Sequence, residues 1–447
     1  MFLRRQVLLA YLSICLIIVV AADATQPSPT QAAGDVGYVD FSFFYRPSGG
    51  SGPDAILTPT GEKPQSKLWF NDGRWWAELF SPAAGAHHIY ALDRAVQRWV
   101  DTGVALDPRP QTKADCLWDG VHLYVVSGGG LVSTGANLDA RLYRYSYAAG
   151  IYVLDPGFPV TVRSGGAETI VIAKDTTGTL WVTYTHNNAV YINRSRLADS
   201  IWGTPFPLSA SGANPTVVPD DISTLVAYGN AIGVLWSNQI DGAFYFAYHI
   251  DGAADNSWSG SVVARRTNLA DDHINLKVFE GDSAGNVFAV AKTSLNAPDQ
   301  PQIVVLAGRR QSSGGISWRS VTVSNGAQNQ TRPLLLIDGS NRQVYVFSAD
   351  ESGGAIYYKQ SSLDNLRFDP TTKGTLFLSS SGHPFFNNPS STKQTLSSNT
   401  GIVVTASYDN DGHPSATPAA SDVYGHNLLQ IPAPLQNRRY YLPLIRR

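Results

Sequence analysis

The chain is poor in charge, and several common signatures of chemistry are absent from it. Only 15% of its 447 residues are Asp, Glu, Lys or Arg, and the formal net charge is -2. Such a chain has no basic field that could hold a phosphate backbone, so we expect no nucleic acid partner. It contains neither a phosphate-binding Gly-Lys-Ser/Thr loop nor a Gly-x-Ser-x-Gly nucleophile elbow. The patterns typical of P-loop enzymes and of many serine hydrolases are therefore excluded.

Cysteine is also scarce, with Cys15 and Cys116 as the two examples. Cys15 lies in the N-terminal apolar stretch described below, so Cys116 alone would remain after export and no intramolecular disulfide is expected. The same scarcity argues against a zinc site, and we predict neither a metal nor a cofactor. The setting Asp115-Cys116-Leu117-Trp118 is typical of a strand. It predicts a buried, inert thiol rather than a nucleophile.

The first 24 residues have the pattern of an export signal. Arg4 and Arg5 precede a charge-free, mostly apolar stretch over residues 7–22, and residues 22–24 fit a small-x-small cleavage site. An uncleaved anchor is the alternative, because about 16 such residues is long for a signal core and short for a full membrane span. We expect a secreted or cell-surface protein that contacts membrane only through an uncleaved signal or the C-terminal tail.

Helical periodicity is missing, whereas 40 Gly and 26 Pro punctuate the chain at hairpin intervals. In its place a pattern recurs about every 50 to 60 residues: a turn residue, a large residue on the next strand, and an apolar-Tyr pair on the strand after that. The turn residues are Asp72, Asp119, Asp175, Asn230, Asp282, Asp338 and Asn399. The second-strand residues are Trp76, Tyr124, Trp181, Trp236, Phe288, Tyr345 and, more weakly, Val404. The third-strand pairs are Ile89-Tyr90, Leu142-Tyr143, Val190-Tyr191, Phe244-Tyr245, Ile303-Val304, Ile356-Tyr357 and Val423-Tyr424.

This repeat predicts an all-β fold, a seven-bladed β-propeller, because a sheet of about four strands must stack on its neighbours to bury both faces. The predicted innermost strands lie near residues 68–71, 115–118, 169–173, 223–227, 274–279, 334–337 and 394–397. The predicted markers of the fourth strands are Trp99, Tyr152, Trp202, Trp258, Trp318 and Phe368. Six or eight blades are the alternatives, because the fifth repeat lacks its Tyr and the seventh is atypical.

Closure of the ring is predicted from the two ends of the propeller. Residues 36–45 read as a strong strand without a nearby hairpin partner, and the seventh repeat lacks a fourth strand before its prolines. We expect the N-terminal strand to pair with the last blade, which removes the open edge. The predicted organisation is a signal over 1–24, a linker over 25–35, the propeller over 36–431 and a tail over 432–447.

Blade sequences such as residues 175–184 and 356–362 resemble those of sialidase-type propellers and of lectin-like propellers from exported bacterial proteins. The resemblance covers residues 36–431 at the level of architecture. It implies a sialidase-like glycoside hydrolase as one alternative. That site would use Arg46 and Arg332 for a substrate carboxylate, Asp72 as the acid, Glu280 as the activator and Tyr357 as the nucleophile. The repeat argues against this set, because Tyr357 and Asp72 occupy columns that packing and turns explain, and we commit to no catalytic residue.

The loops that lead into the innermost strands concentrate polar side chains, as expected of a ligand-binding face. The predicted ligand-binding residues are Arg109, Lys113, Asp115, Glu168, Asp221, Asp272, His273, Arg332 and Lys393. We expect a ligand-binding or interaction module with a glycan or protein ligand, more readily a binder than an enzyme. A structural cell-envelope protein without a small-molecule ligand is the third reading. Residues 409–412 resemble the start of a calcium loop, but Ala420 stands where a Glu ligand is required, so we interpret them as a turn.

Overall fold

The structure, a computed structural model, describes residues 34–44, 59–61, 63–129, 138–280, 282, 284–312, 315–352, 354–408 and 422–434. The predicted signal, Arg46, the turn at 409–412 and most of the C-terminal tail lie outside these residues. Within them the only helix is the 3-10 turn Gly326–Gln328, which agrees with the absence of helical periodicity. No helix among the described residues has the length and hydrophobicity that a membrane crossing requires.

The strands form seven antiparallel sheets that follow one another along the chain as the blades of a propeller. A first strand, β1 (Tyr38–Ser42), precedes them. Blade 1 contains β2 (Leu68–Asn71), β3 (Arg74–Ser81), β4 (Ala86–Asp93) and β5 (Arg98–Asp107). Blade 2 contains β6 (Thr112–Trp118), β7 (His122–Gly129), β8 (Ala140–Ala148), β9 (Ile151–Leu154) and β10 (Val160–Arg163). Blade 3 contains β11 (Val171–Lys174), β12 (Leu180–His186), β13 (Ala189–Arg194) and β14 (Phe206–Pro207).

Blades 4 to 7 complete the ring. Blade 4 contains β15 (Ser223–Tyr228), β16 (Ala231–Asn238), β17 (Ala243–Ile250) and β18 (Ser259–Arg265). Blade 5 contains β19 (Ala270–Val278), β20 (Val287–Thr293), β21 (Pro301–Arg310) and β22 (Ile316–Asn325). Blade 6 contains β23 (Gln330–Asp338), β24 (Gln343–Asp350), β25 (Ile356–Ser362) and β26 (Thr375–Leu378). Blade 7 contains β27 (Phe386–Ser390), β28 (Ile402–Tyr408), β29 (Val423–Leu429) and β1.

The antiparallel order gives the propeller two distinct faces. The turns between first and second strands lie on one face, which we call the lower face, together with the connections between third and fourth strands. The loops that lead into the first strands lie on the opposite, upper face, together with the connections between second and third strands. The first strands surround a central channel that runs between the two faces.

The repeated large residues pack between blades, as the sequence predicts. Val171 and Trp181 of blade 3, for example, share one hydrophobic cluster with Leu225 and Trp236 of blade 4. All seven second-strand residues of the repeat are buried. Full burial of a side chain of this size stabilises the folded state by roughly 1.5–3 kcal/mol, so these columns stabilise the ring rather than serve a ligand. Cys116 is likewise buried, and burial raises the pKa of its thiol well above the ordinary value.

The predicted closure is confirmed. β1 pairs with β29, with Tyr38 opposite His426 and Ser42 opposite Val423. The Phe41 ring lies 5.1 Å from the Tyr90 ring of blade 1, so the first strand also contacts the next blade. The seventh sheet is therefore built from both ends of the propeller.

Two details of the predicted strands are wrong. The innermost strand of blade 7 is β27, and residues 394–397 run beside blade 6 instead, where the Leu396 amide donates to the Ile337 carbonyl at 2.8 Å. Trp99 and Trp318 lie in fourth strands, whereas Tyr152 lies in the extra strand β9. Trp202, Trp258 and Phe368 precede β14, β18 and β26. In these blades the aromatic residue comes before the regular fourth strand, although Trp202 already forms an isolated bridge with Ser195.

Phe41→Ala tests the closure. Loss of a buried ring that contacts Tyr90 and Tyr424 should lower the free energy of unfolding by about 3–5 kcal/mol. Chemical denaturation followed by tryptophan fluorescence measures this change. Val153→Ala is the matched control, because Val153 lies on a strand with 51% of its surface exposed. Equal midpoints for the two variants would contradict a stabilising role for the first strand.

Candidate functional site

The upper end of the central channel is crossed by residues 63–67, which precede β2 and which we call the crossing segment. The Ser66 amide donates to the Asp115 carboxylate of blade 2 at 2.8 Å, and the Gln65 side chain donates to the Ile170 carbonyl of blade 3 at 3.0 Å. The crossing segment also forms hydrogen bonds with blades 5 and 7, on the other side of the channel. The residues of other blades that bond to the crossing segment are Ala114, Asp115, Cys116, Glu168, Ile170, Asp272, Asn275, Lys277 and Ser390. The segment therefore spans the channel.

Lys63 links the crossing segment to acidic residues of two other blades, whereas Lys67 lies 3.5 Å from Glu78 of blade 1. Its ammonium binds Glu168 of blade 3 at 3.2 Å and also Asp272 of blade 5. Burial alone would raise the pKa of Asp272, but the His273 ring and the Lys63 ammonium outweigh it and hold the pKa of that carboxyl well below its usual range. Two predicted ligand-binding carboxylates thus bind a lysine of the same chain.

Asp115 and Lys393, both predicted ligand-binding residues, bind each other below this contact. Asp115 is completely buried and accepts the Ile172 amide at 2.8 Å and the Lys393 ammonium at 2.5 Å. Lys393 also donates to the Ile172 carbonyl at 2.6 Å. Since Lys393 follows β27, this buried pair links blade 7 to blades 2 and 3. The two charges stabilise the channel wall.

Three other predicted residues lie farther from the axis or within their own loops. Arg109 donates two hydrogen bonds to the Asp107 carboxylate, at 2.8 and 2.6 Å. Asp221 is buried and accepts the Val218 amide at 2.9 Å, and burial raises the pKa of its carboxyl. Lys113 is partly buried on β6. Arg109 and Asp221 therefore hold local backbone and loop geometry.

Acidic groups that could hold a cation gather at the upper end of blades 3 to 5. The ligand atoms of Asp271, Asp272 and His273 lie within 4.8 Å of one another, as do those of Glu168, Asp220 and Asp272. The lysine ammonium of the crossing segment already binds two of these carboxylates. The His273 ring contacts both neighbouring aspartates through Nδ1, while its Nε2 is buried without a partner. Lysine ammonium groups, Lys63 for Glu168 and Asp272 and Lys292 for Asp271, balance these carboxylates.

The residues of the sialidase-like alternative do not meet. Asp72 and Glu280 lie in turns on the lower face, in blades 1 and 5. Arg332 and Tyr357 lie near the upper ends of β23 and β25 in blade 6. Arg332 occupies a bulge with a φ of 50°, a left-handed conformation that costs an arginine backbone strain. Arg46 lies outside the described residues.

Below the crossing segment, the channel contains a cavity of about 110 Å³ whose walls combine apolar residues with charged ones, among them Lys277, Glu280 and Lys393. Pro64 of the crossing segment forms part of its upper boundary. Towards the lower face the cavity meets a wider opening of about 650 Å³, because Leu117, Lys174 and Glu280 line both spaces. The channel is therefore a well with its mouth on the lower face, opposite to the face from which the sequence predicts binding.

Lys277 lies in the wall of this well and was not predicted as a site residue. Its ammonium has one hydrogen-bond partner, Ser66 Oγ at 3.2 Å. No carboxylate of the described residues lies within 4.0 Å of it. Burial, reinforced by the nearby Lys393 charge, lowers the pKa of Lys277 to about 7. The charges of Asp115 and Glu280 oppose this shift without reversing it, so the well contains a buried amine that has no direct ion pair.

The other lysine at the mouth is already paired. Lys174 binds the Asp119 carboxylate at 2.6 Å and the Tyr124 hydroxyl at 3.1 Å. Trp118 and Gln394 also line the mouth. Because an ion pair satisfies Lys174, the charged groups of the narrow cavity that have no ion pair among the described residues are Lys277 and Glu280, and the Glu280 carboxyl lines both the cavity and the mouth.

Comparison with known proteins identifies no family for this chain. No family model and no curated protein matches the sequence. An ulvan lyase of polysaccharide lyase family PL25 aligns over 84% of this chain and 95% of its own, with 10% identity and a TM-score of 0.48. Polysaccharide lyase Uly1 aligns over 90% of this chain and 99% of its own, with 10% identity and a TM-score of 0.46. A mutant of the NanB sialidase from Streptococcus pneumoniae aligns over 73% of this chain and 51% of its own, with 11% identity and a TM-score of 0.36.

These neighbours are named as carbohydrate-active enzymes. The propeller architecture of this chain follows from its own strand order. At such identities and TM-scores the likeness does not bear on what this chain binds.

Lys63→Met tests the crossing segment. Removal of the ammonium leaves Glu168 and Asp272 close together without their counter-ion, which should lower the free energy of unfolding by about 3–5 kcal/mol. Denaturant unfolding measures the change. Arg74→Met, which removes an exposed cation, is the control. If both variants unfold at the same denaturant concentration, the crossing segment is not held by its lysine.

Lys277 should make stability depend on pH. Its folded-state pKa of about 7 lies below the ordinary lysine value, so between about pH 7 and pH 10 the unfolded chain binds more protons at this position. The free energy of unfolding should therefore rise with pH in that window, relative to Lys277→Met, by up to about 1.4 kcal/mol per pH unit. Below about pH 7 Lys277 is charged in the folded and the unfolded state, so the full cost of burying this charge lowers the free energy of unfolding. Denaturation of both proteins from pH 6 to 10, with Lys113→Met as a control, measures the difference; a constant difference would contradict the shift.

Proposed function

We propose that this protein is a binding protein whose central well takes a saccharide that carries a carboxylate. The observation that carries the proposal is Lys277, a buried amine without a carboxylate within 4.0 Å among the described residues. A buried charge without a partner is costly, and a bound anion would remove that cost. The carboxylate would lie against Lys277, inside the narrow part of the well.

The wider mouth supports a saccharide as the rest of the ligand. Its opening of about 650 Å³ is lined by the Trp118 side chain and by hydrogen-bonding groups, including Asp119, Thr176 and Gln394. Ligand sites for small molecules typically combine apolar or aromatic surface with a few placed polar groups. A sugar offers a hydroxyl-rich edge to such groups and an apolar face to an indole. The narrow cavity above it admits only a small group such as a carboxylate.

The sialidase-like alternative receives less support from the structure. A hydrolytic site requires its acid, its nucleophile and its carboxylate ligands around a single bond. Asp72 and Glu280 lie on the lower face, whereas Arg332 and Tyr357 lie near the upper face. The proposal therefore contains no catalytic step. We also propose that the protein acts outside the cytoplasm, on the basis of its signal-like N-terminal sequence.

Isothermal titration calorimetry with digalacturonate and with its methyl ester tests the proposal, because the two ligands differ in the charge of the carboxyl groups. The acid should bind at least about tenfold more tightly than the ester, a difference of about 1.4 kcal/mol. At pH 8 binding should also take up protons, because a bound carboxylate favours the ammonium form of Lys277. Titrations in buffers with different ionisation enthalpies measure this uptake.

Lys277→Met should abolish the preference for the acid, whereas Lys113→Met should retain it. Equal affinity for acid and ester in the unmodified protein would show that no carboxylate is recognised. Failure of both ligands to bind at millimolar concentration would favour the structural cell-envelope role.

A further inference from the structure

A groove between the lower ends of blades 5 and 6 contains a concentration of arginine. It encloses about 560 Å³, and the side chains that matter for the argument are Phe279, Arg309, Arg319, Arg342 and Asp364. Phe279 immediately precedes Glu280, which lines the mouth of the well. The groove therefore extends outward from the region of the mouth along the lower face.

Arg309 and Arg319 lie on the same side of blade 5. Strand pairing places Arg309 opposite Ser317 and Arg319 opposite Ala307, so the two arginines occupy diagonal positions on one face of the sheet. Diagonal positions bring long side chains within reach of one another. Both residues are exposed. Two like charges at this spacing repel each other, and an anion bound between them would offset the repulsion.

Neither guanidinium has a partner among the described residues. No hydrogen bond, ion pair or ring contact involves the side chain of Arg309 or Arg319. Several other arginines of the propeller bind carboxylates, as Arg144 binds Asp155 at 2.6 Å and Arg194 binds Asp255. The pair on blade 5 thus differs from these arginines in having donors that are free for a ligand.

The opposite wall of the groove holds its own charges in balance. Arg342 binds the Asp364 carboxylate through Nε at 2.9 Å and Nη2 at 2.6 Å, and its guanidinium lies 5.5 Å from the Phe279 ring. Asp282 belongs to the turn between β19 and β20 on the blade 5 side, where it accepts the Ala284 amide at 3.0 Å and has no ion pair among the described residues. The Arg342–Asp364 pair is neutral, and Arg309 and Arg319 together outweigh Asp282, which leaves the blade 5 wall with a net positive charge.

We propose that this groove binds an anionic polysaccharide chain through Arg309 and Arg319. Guanidinium groups match carboxylate and sulfate oxygens with paired hydrogen bonds, and a chain with repeated charges can satisfy both arginines at once. The choice of saccharide rests on the proposed function, because the groove opens beside the mouth of the well. The chain as a whole has a net charge of -2, so it provides no wider basic field of the kind that a nucleic acid requires.

Surface plasmon resonance with immobilised heparin and polygalacturonate tests the groove, with neutral dextran as the blank. Arg309→Gln with Arg319→Gln should weaken binding of the anionic chains at least about tenfold at low salt, and should reduce the dependence of affinity on salt. Arg74→Gln with Arg266→Gln removes the same charge from exposed positions elsewhere and should have little effect. Circular dichroism confirms that each variant is folded.

Three outcomes would overturn the proposal. Equal loss in both double variants would show that diffuse charge, rather than the groove, holds the polymer. Equally tight binding of duplex DNA, lost with the same substitutions, would mean that the groove accepts any polyanion. Loss of polymer binding in Lys277→Met, with the groove variant unaffected, would place the polymer in the well and leave the proposed function standing. Loss of polymer binding in the Arg309→Gln, Arg319→Gln variant alone would support binding in the groove, even if digalacturonate does not bind in the well.

Discussion

Each sheet of this protein has two apolar faces that only neighbouring sheets can cover, so the structure is stable as a ring and the pairing of β1 with β29 closes it. Without that pairing blade 7 would end at β29 and expose a strand edge. The Phe41 ring would also be lost from its contact with Tyr90 of blade 1. The interface between the last blade and the first thus depends on a strand from the opposite end of the chain.

Within the closed ring, the crossing segment converts a channel into a well. Lys63 binds blades 3 and 5 at once, and Ser66 contacts both Asp115 and Lys277. Charges that appear on the sequence as a polar rim are therefore largely satisfied inside the protein. A buried ion pair of this kind contributes little net stability, but the loss of either partner is costly. These charges define where the segment lies, and Lys277 remains without such a partner.

The architecture could be predicted because the residues that pack between blades recur in the sequence. Trp76, Trp181 and Trp236 mark equivalent strands, and their spacing implies both the sheets and the ring. The sequence prediction places the innermost strand of blade 7 at residues 394–397. It is wrong because the chain there runs along blade 6 without belonging to its sheet. A segment whose backbone forms hydrogen bonds outside a regular sheet shows no alternation of apolar and polar residues in its sequence.

The site was harder to predict, because polarity alone does not reveal which charges are paired. The sequence predicts Asp115 and Glu168 as ligand-binding residues, and it gives no sign that they pair with Lys393 and Lys63, which are distant in sequence. Lys277 gives only a faint signal: it alternates with Asn275 in a strand whose other side chains are mostly apolar. Polar residues at every second position of an innermost strand indicate side chains that share one face of that strand.

The closure has a consequence for the way the chain folds during synthesis. Asp40 and His426, which bind each other at 2.8 Å, are 386 residues apart. The first strand of the propeller must therefore wait until blades 1 to 6 and most of blade 7 have been synthesised before its partner exists. Contacts between such distant residues slow folding. We expect the half-assembled ring to be the stage at which this protein is most exposed to aggregation and to proteases.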